Sequence, residues 1–177
     1  ITVSFYVIET YLFINSKQFR ILVSDVKYDY RTHYEAYKEL ESKEKNFVAT
    51  IGPVHSLKTQ NQILFPLSGI SNSKTLLCNE NGYFVIYDSD RYGFNNPDNE
   101  WDKKSIDYLV IGDSFAQGWC VNREDSIAGH LRSKYNNKNV ITLGQIGNGP
   151  LINYAALKEY IHLVKPSKVF WLSLIHI

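Results

Sequence analysis

The stretch DYLVIGDSFAQG, residues 107–118, constrains this chain more than any other, because an apolar run stops there at a Gly-Asp-Ser turn and a polar, helix-like segment follows. Tyr108, Leu109, Val110 and Ile111 are β-branched, aliphatic or aromatic without polar alternation, the pattern of a strand covered on both faces in a parallel sheet. Ser114 then falls at the carboxyl end of that strand, the edge where open α/β sheets collect ligands and catalytic side chains. A second reading stands beside this one: Ser114 and Asp113 are also residues that cap a helix and suit its first turn.

About thirty residues later the pattern returns. Residues 140–150, VITLGQIGNGP, form an apolar run that breaks into a glycine-rich loop, and a helical pattern follows. A third apolar run, KVFWL at 168–172, opens after Pro166. Three alternations of strand and helix predict an α/β fold with a doubly wound parallel sheet, its first two loops side by side at one sheet edge.

With these two blocks in place the sequence resembles the GDSL or SGNH hydrolase family. Gly112-Asp113-Ser114-Phe115 matches the family's first block, and Gly147 falls where the family keeps an oxyanion-hole glycine. The resemblance covers about residues 81–171. It implies a flavodoxin-like, three-layer sheet of which this chain holds the first half, with Ser114 as nucleophile and oxyanion N–H donor, Gly147 as a second N–H donor, and Asp113 as support for the turn. The same resemblance implies an asparagine block on the loop after the third strand and a later Asp-x-x-His carrying the base, and neither is found in this sequence.

Composition narrows the function classes. With 19 basic and 18 acidic residues scattered along the chain, the net charge of +1 gives no electrostatic footprint for nucleic acid. Cys78 and Cys120 are the only cysteines; they read as buried or half-buried free thiols, and no Cys/His spacing resembles a metal site, so no metal or cofactor is expected. The sequence contains no methionine and is expected to begin inside a longer chain. Its first residues, ITVSFYVIETYLFI, are largely apolar and aromatic and would cover about 21 Å of a hydrocarbon core about 30 Å thick. They read as the end of a membrane anchor with its aromatics near the interface, although Glu9 opposes deep insertion and an amphipathic or packed helix is the alternative.

Between these landmarks, Tyr30, Tyr34, Tyr37 and Leu40 approximate helical spacing and predict a surface helix over residues 30–45 with His33 solvated. Residues 75–77 and 83–87 predict a hairpin around Asn81-Gly82. The segment DSDRYGFNNPDNEW, 88–101, reads as a packing loop in which Tyr92, Phe94 and Trp101 cover the sheet edge, with cleft lining as the alternative. Ile127, Leu131 and Tyr135 predict a crossover helix over 125–135 that packs Ile127 and Leu131 on the sheet, and Tyr154, Leu157, Tyr160, Ile161 and Val164 predict a second over 153–164. The expected organisation is therefore an anchor end (1–15), a helical and hairpin region (16–104) and the first half of the hydrolase domain (105–171). Residues 172–177, LSLIHI, coincide with one reading frame of a transposase sequencing adapter and are expected to be a non-native tail, with a native strand end as the alternative.

The expected activity is a serine esterase acting on O-acyl groups of a cell-envelope glycan or lipid, membrane-anchored and extracytoplasmic, with an O-acyltransferase or a non-catalytic glycan- or protein-binding domain as alternatives. Of the histidines, His33 and His55 precede the sheet, His130 and His162 fall on crossover helices and His176 lies in the doubtful tail. The catalytic base is therefore expected outside this chain, which by itself should be inactive.

Overall fold

The computed structural model describes residues 4–12, 27–53, 65–134 and 138–173. Residues 4–12 form helix α1, with Phe5, Tyr6, Val7, Ile8, Tyr11 and Leu12 exposed. No helix among the described residues is long and apolar enough to cross a membrane.

Helix α2 spans His33–Lys43 and is set by a complete capping box: the Thr32 hydroxyl accepts the Glu35 N–H, and the Glu35 carboxylate accepts the Thr32 N–H at 2.7 Å. Its buried face is not the tyrosine row expected from the sequence. Ala36 is fully buried and Tyr37 and Leu40 pack beside it, whereas Tyr30 and Tyr34 are exposed. The small residue allows the helix to approach Phe47 and Leu76 closely, and tyrosines flanking it serve as a rim.

Those contacts belong to a three-stranded sheet of β1 (Phe47–Ala49), β2 (Lys74–Leu76) and β3 (Ile86–Asp88), with β1 parallel and β3 antiparallel to β2. The expected hairpin is present. Its ladder pairs Thr75 with Tyr87 and continues through Leu77 N to Val85 O and Val85 N to Cys78 O, and Gly82 at its tip has φ +93°. Strand β1 has no counterpart in the sequence reading.

The second sheet is parallel, in the order β5-β4-β6, from β4 (Tyr108–Ile111), β5 (Val140–Thr142) and β6 (Lys168–Trp171). Leu109 and Ile111 turn to one face, where Ile141, Leu143, Phe94 and Trp101 form the largest core cluster with Ala156 and Val164 of α5 (Pro150–Val164). Val110 and Val140 turn to the other, against Ala128 and Leu131 of α4 (Ile127–Lys134). Helices thus cover both faces of a sheet whose central strand is buried on both sides, the arrangement that its uninterrupted apolar sequence predicted.

Two helices differ in detail from the sequence reading. Helix α5 starts at Pro150, three residues early, because proline is accommodated at a first helical position; Tyr154 is exposed, and Asn153 and Ala156 take the buried stripe. In α4, Ile127 is 39% exposed, and the buried residues are Ala128 and Gly129. Ser126 caps this helix, accepting the Gly129 N–H at 3.0 Å, so Ile127 occupies its first turn and points away from the sheet contact expected of it. Tyr135 lies outside the described residues.

The two edges of the parallel sheet are unlike. Along β5, side chains occupy the outward backbone groups: Glu100 accepts the Val140 N–H at 3.1 Å and Arg132 donates to the Val140 carbonyl. Strand β6 is exposed along its length, including Val169, Phe170 and Trp171. Leu172 extends its ladder by donating to the Ile111 carbonyl at 2.8 Å and packs against the Val110 and Val140 cluster.

The segment 88–101 is built into the core. Phe94 is fully buried and Trp101 nearly so, with Tyr92 packed between Trp101 and Tyr160. Asp90 organises it, accepting from the backbone N–H groups of Tyr92 and Phe94, from Asn96 Nδ2 and from Trp101 Nε1. Burial raises the Asp90 carboxyl above its usual range, and the four donors oppose that rise.

Cys78 and Cys120 form a disulfide that joins the hairpin to the end of the Gly-Asp-Ser segment, with 5.4 Å between their Cα atoms. This corrects the expectation of two free thiols: 42 residues separate the pair, and the fold closes that loop. Chain-entropy arguments assign such a closure about 4 kcal/mol of stabilisation.

Candidate active site

Strand β4 ends at Ile111, and the chain reverses through Gly112 and Asp113 into the one-turn helix α3 (Ser114–Gln117). Gly112 is needed because a Cβ there would stand 2.7 Å from the Leu172 carbonyl oxygen and 3.0 Å from the Ala116 side chain. Asp113 is the N-cap and its carboxylate accepts the Phe115 N–H at 3.1 Å. Ser114 therefore occupies the first helical position and not the cap. The Ser114 carbonyl receives the N–H groups of Gly118 and Trp119, and among the described residues no bond engages its hydroxyl.

The second loop is stitched directly to this turn. Gln145 donates its N–H to the Gly112 carbonyl, Ile146 donates to Gln117 Oε1 at 2.9 Å, and the Gln117 amide donates to Gln145 Oε1. Gln117 and Gln145 are both fully buried, so this polar contact is shielded from water. Gly144 permits it, since a Cβ at that position would collide with the backbone of Ala116 and Gln117. Gly147 follows in a left-handed conformation, φ +74°, and is exposed. Ser114 and Gly147 thus sit on neighbouring loops at the carboxyl end of adjacent strands, as the sequence reading requires.

One residue that reading did not single out is Asn148. Only 7% of it is exposed, and both side-chain polar atoms lack a hydrogen-bond partner among the described residues. Leaving such groups unpaired costs about 1–3 kcal/mol. The sequence offered only its place after Gly147, in a loop where asparagine reads as a turn former.

A cleft of about 460 Å³ opens at Ser114, walled by Phe115, Trp119, Glu80, Asp125 and Ile127. Phe115 is 57% exposed beside the serine, and the displaced Ile127 supplies the facing apolar wall. The segment 88–101 does not line this cleft; its contribution is to support it, through Asn95 Nδ2 donating to the Gln117 carbonyl.

The three described histidines, His33, His130 and His162, do not converge on Ser114. His33 Nε2 is 2.9 Å from the Leu77 carbonyl oxygen, and its ring meets Phe84 edge-on, so it is a tether between α2 and the hairpin and not merely a solvated residue. His130 and His162 are exposed on their helices. His55 and His176 lie outside the described residues. Among the described residues no group of three or more His, Cys, Asp or Glu side chains could hold a metal ion. Comparison with protein families, with curated proteins and with solved structures returned no match to this chain.

Proposed function

We propose that the chain carries the nucleophile half of a serine acyl-transfer site, on a doubly wound, flavodoxin-like sheet of the SGNH hydrolase type, acting on O-acyl groups of a cell-envelope glycan or lipid. The observation that supports this reading is the joining of the Gly112–Gln117 turn to the Gly144–Gly147 loop by buried hydrogen bonds. Those bonds fix Ser114 relative to the backbone that would receive an oxyanion, and fixed donors are where most of the rate enhancement in acyl transfer arises. Ser114 Oγ would attack the acyl carbon, with the N–H groups of Ser114 and Gly147 facing the developing negative charge.

A base must take the hydroxyl proton during attack, and the described histidines do not supply it. The base is expected outside the described residues. Whether the acyl group then passes to water or to a sugar hydroxyl depends on the acceptor, so esterase and O-acyltransferase share this half-site. The exposed aromatic and aliphatic side chains of α1 favour attachment to a membrane through the amino-terminal segment, on the extracytoplasmic side where the disulfide would persist.

The test is covalent labelling by a fluorophosphonate in a form of the protein that supplies the base. Wild type should be labelled at Ser114 and a folded Ser114→Ala variant should not. Labelling that survives Ser114→Ala would remove this serine from its role.

A further inference from the structure

Gln117 ends helix α3, three positions after Ser114, and is fully buried. Each of its polar groups has a partner. Its N–H donates to the Asp113 carbonyl at 3.1 Å, and its carbonyl accepts Asn95 Nδ2 at 3.0 Å. Its side-chain amide bridges to the second loop, with Nε2 donating to Gln145 Oε1 at 3.3 Å and Oε1 accepting the Ile146 N–H at 2.9 Å. Gln145 is engaged in turn: its Nε2 donates to the Gly93 carbonyl at 3.3 Å, and its own carbonyl accepts the Asn148 N–H at 3.2 Å. The residues on either side of Gly147 are thereby pinned, Ile146 by Gln117 and Asn148 by Gln145. Between them the Gly147 N–H has no partner among the described residues. The Ser114 N–H has none there either, since the Asp113 carboxylate takes the N–H of Phe115.

We infer that Gln117 is the positioning residue of this site: by holding Ile146, it presents the free N–H of Gly147 together with that of Ser114 to one oxygen of the substrate. The task given to those two N–H groups rests on the acyl-transfer reading above. The bridge specifies glutamine. A side chain here must donate to Gln145 Oε1 and accept from Ile146 at the same time, and a neutral terminal amide does both. Gln145 cannot turn over to suit another residue without losing its bond to Gly93. Because Gln117 and Gln145 are shielded from water, solvent does not replace a missing bond, and an unmet group there is met only by moving the loop.

The titratable groups around the bridge leave it undisturbed near neutral pH. The Tyr87 phenol of β3 lies within hydrogen-bonding reach of Gln117, and burial raises its pKa, so it stays uncharged. Arg123 stands one residue further off, donating to Asn95 Oδ1, and the Asp113 carboxylate is held by the Phe115 N–H. Burial would likewise raise the pKa of a carboxyl introduced at position 117.

The experiment compares wild type with Gln117→Met and Gln117→Glu, each checked by circular dichroism for an unchanged fold. In a form of the protein that supplies the base, hydrolysis of p-nitrophenyl acetate gives kcat and KM across pH. Gln117→Met, which fills the space and removes both bonds, should lower kcat roughly tenfold to a hundredfold at every pH with KM little changed. Gln117→Glu should match wild type at the acid end, where the protonated carboxyl donates to Gln145 Oε1 and accepts from Ile146. Its kcat relative to wild type should then fall toward that of Gln117→Met as pH rises and the carboxyl ionises, and the ratio cancels the titration of the base. In the purified chain, the amide resonance of Gly147 in Gln117→Glu should shift through the same pH range, while those of Leu109 and Ile141 stay in place. A kcat for Gln117→Met within about twofold of wild type, a Gln117→Glu ratio that is flat with pH, or a Gly147 resonance unmoved by that titration would overturn the inference. If Gln117→Met does not fold, the Gln117→Glu profile decides alone. Fluorophosphonate labelling of Ser114 reports separately: a Gly147 resonance that titrates in a protein whose serine is never labelled would sink the acyl-transfer reading and leave the placement of the loop by Gln117 standing.

Discussion

Asn96 bonds both outward backbone groups of Thr142 with one side-chain amide: its Nδ2 donates to the Thr142 carbonyl at 2.9 Å, and its Oδ1 accepts the Thr142 N–H at 2.8 Å. A loop residue thereby does the work of a neighbouring strand at the β5 edge, where an unpaired ladder would otherwise invite association. The same amide reaches Asp90, which holds Trp101, and Arg132 donates to its oxygen, so edge, loop and core form one network.

Asn96→Ala is therefore expected to cost about 3 kcal/mol, because it strands the buried Thr142 N–H and carbonyl and removes one donor from Asp90. Urea denaturation measures it as a lower midpoint at an unchanged slope. A loss below about 0.5 kcal/mol, the range of ordinary surface substitutions, would show that water replaces Asn96 at that edge.

Opening the disulfide should lower stability by about 4 kcal/mol through the entropy of the 42-residue loop, which for a chain of this size is a fall of roughly 8–16 °C in Tm. Cys78→Ala/Cys120→Ala compared with wild type under non-reducing conditions gives the value. A double variant that melts with wild type would show that packing around Leu77, Val85 and Tyr87 holds this junction without the bond.

Gly147→Val tests the proposed oxyanion donor. The residue has φ +74°, where a β-branched side chain is strained by about 1–3 kcal/mol, so the loop backbone must shift. In a form of the protein that supplies the base, kcat should fall by the equivalent of one donor, about 2.7–4 kcal/mol, with KM little changed. Normal kcat in a folded variant would place oxyanion stabilisation elsewhere.

The parallel sheet was legible because strands covered on both faces are near-continuous apolar runs, and Tyr108–Ile111 and the start of Val140–Thr142 are marked by that requirement. The turns after the first two of these strands were legible because turns at strand ends depend on few residue types, whereas the roles given to Ser114 and Gly147 rest on the resemblance. Strand β1 was not: three residues, Phe47–Ala49, carry no period, and the strand exists through its pairing with β2. The disulfide was equally silent, since a separation of 42 residues says nothing about proximity. Asp90, Asn95 and Asn96 looked like turn formers because a buried polar network in a loop is specified by three-dimensional partners and leaves no spacing rule in the chain. Ile127 was misplaced through helical spacing that holds only from Ala128 onward, and the error hid the wall of the cleft beside Ser114.

The pH dependence of stability should separate two kinds of carboxylate. Asp107 lies below its usual range because Lys138 and the Asn139 N–H hold its charged form; with the folded pKa depressed, its contribution is present above the unfolded value and is lost as pH falls through the folded one. Asp90 has the opposite sign. Burial raises its folded pKa, so between the unfolded value near 4 and that raised value the folded state binds the extra proton, and the stability attributable to Asp90 declines as pH rises through the window. Asp90→Asn should be destabilised at every pH, because its amide nitrogen replaces one of the two carboxylate oxygens and meets the two donors that this oxygen accepts. The gap between wild type and Asp90→Asn should nevertheless narrow as pH climbs from about 4 toward neutrality, while Asp107→Asn should flatten only the acid limb below about 4. Urea denaturation of the three proteins across this range decides it. A gap for Asp90→Asn that stays constant would mean that the four donors fully offset the burial of the charge.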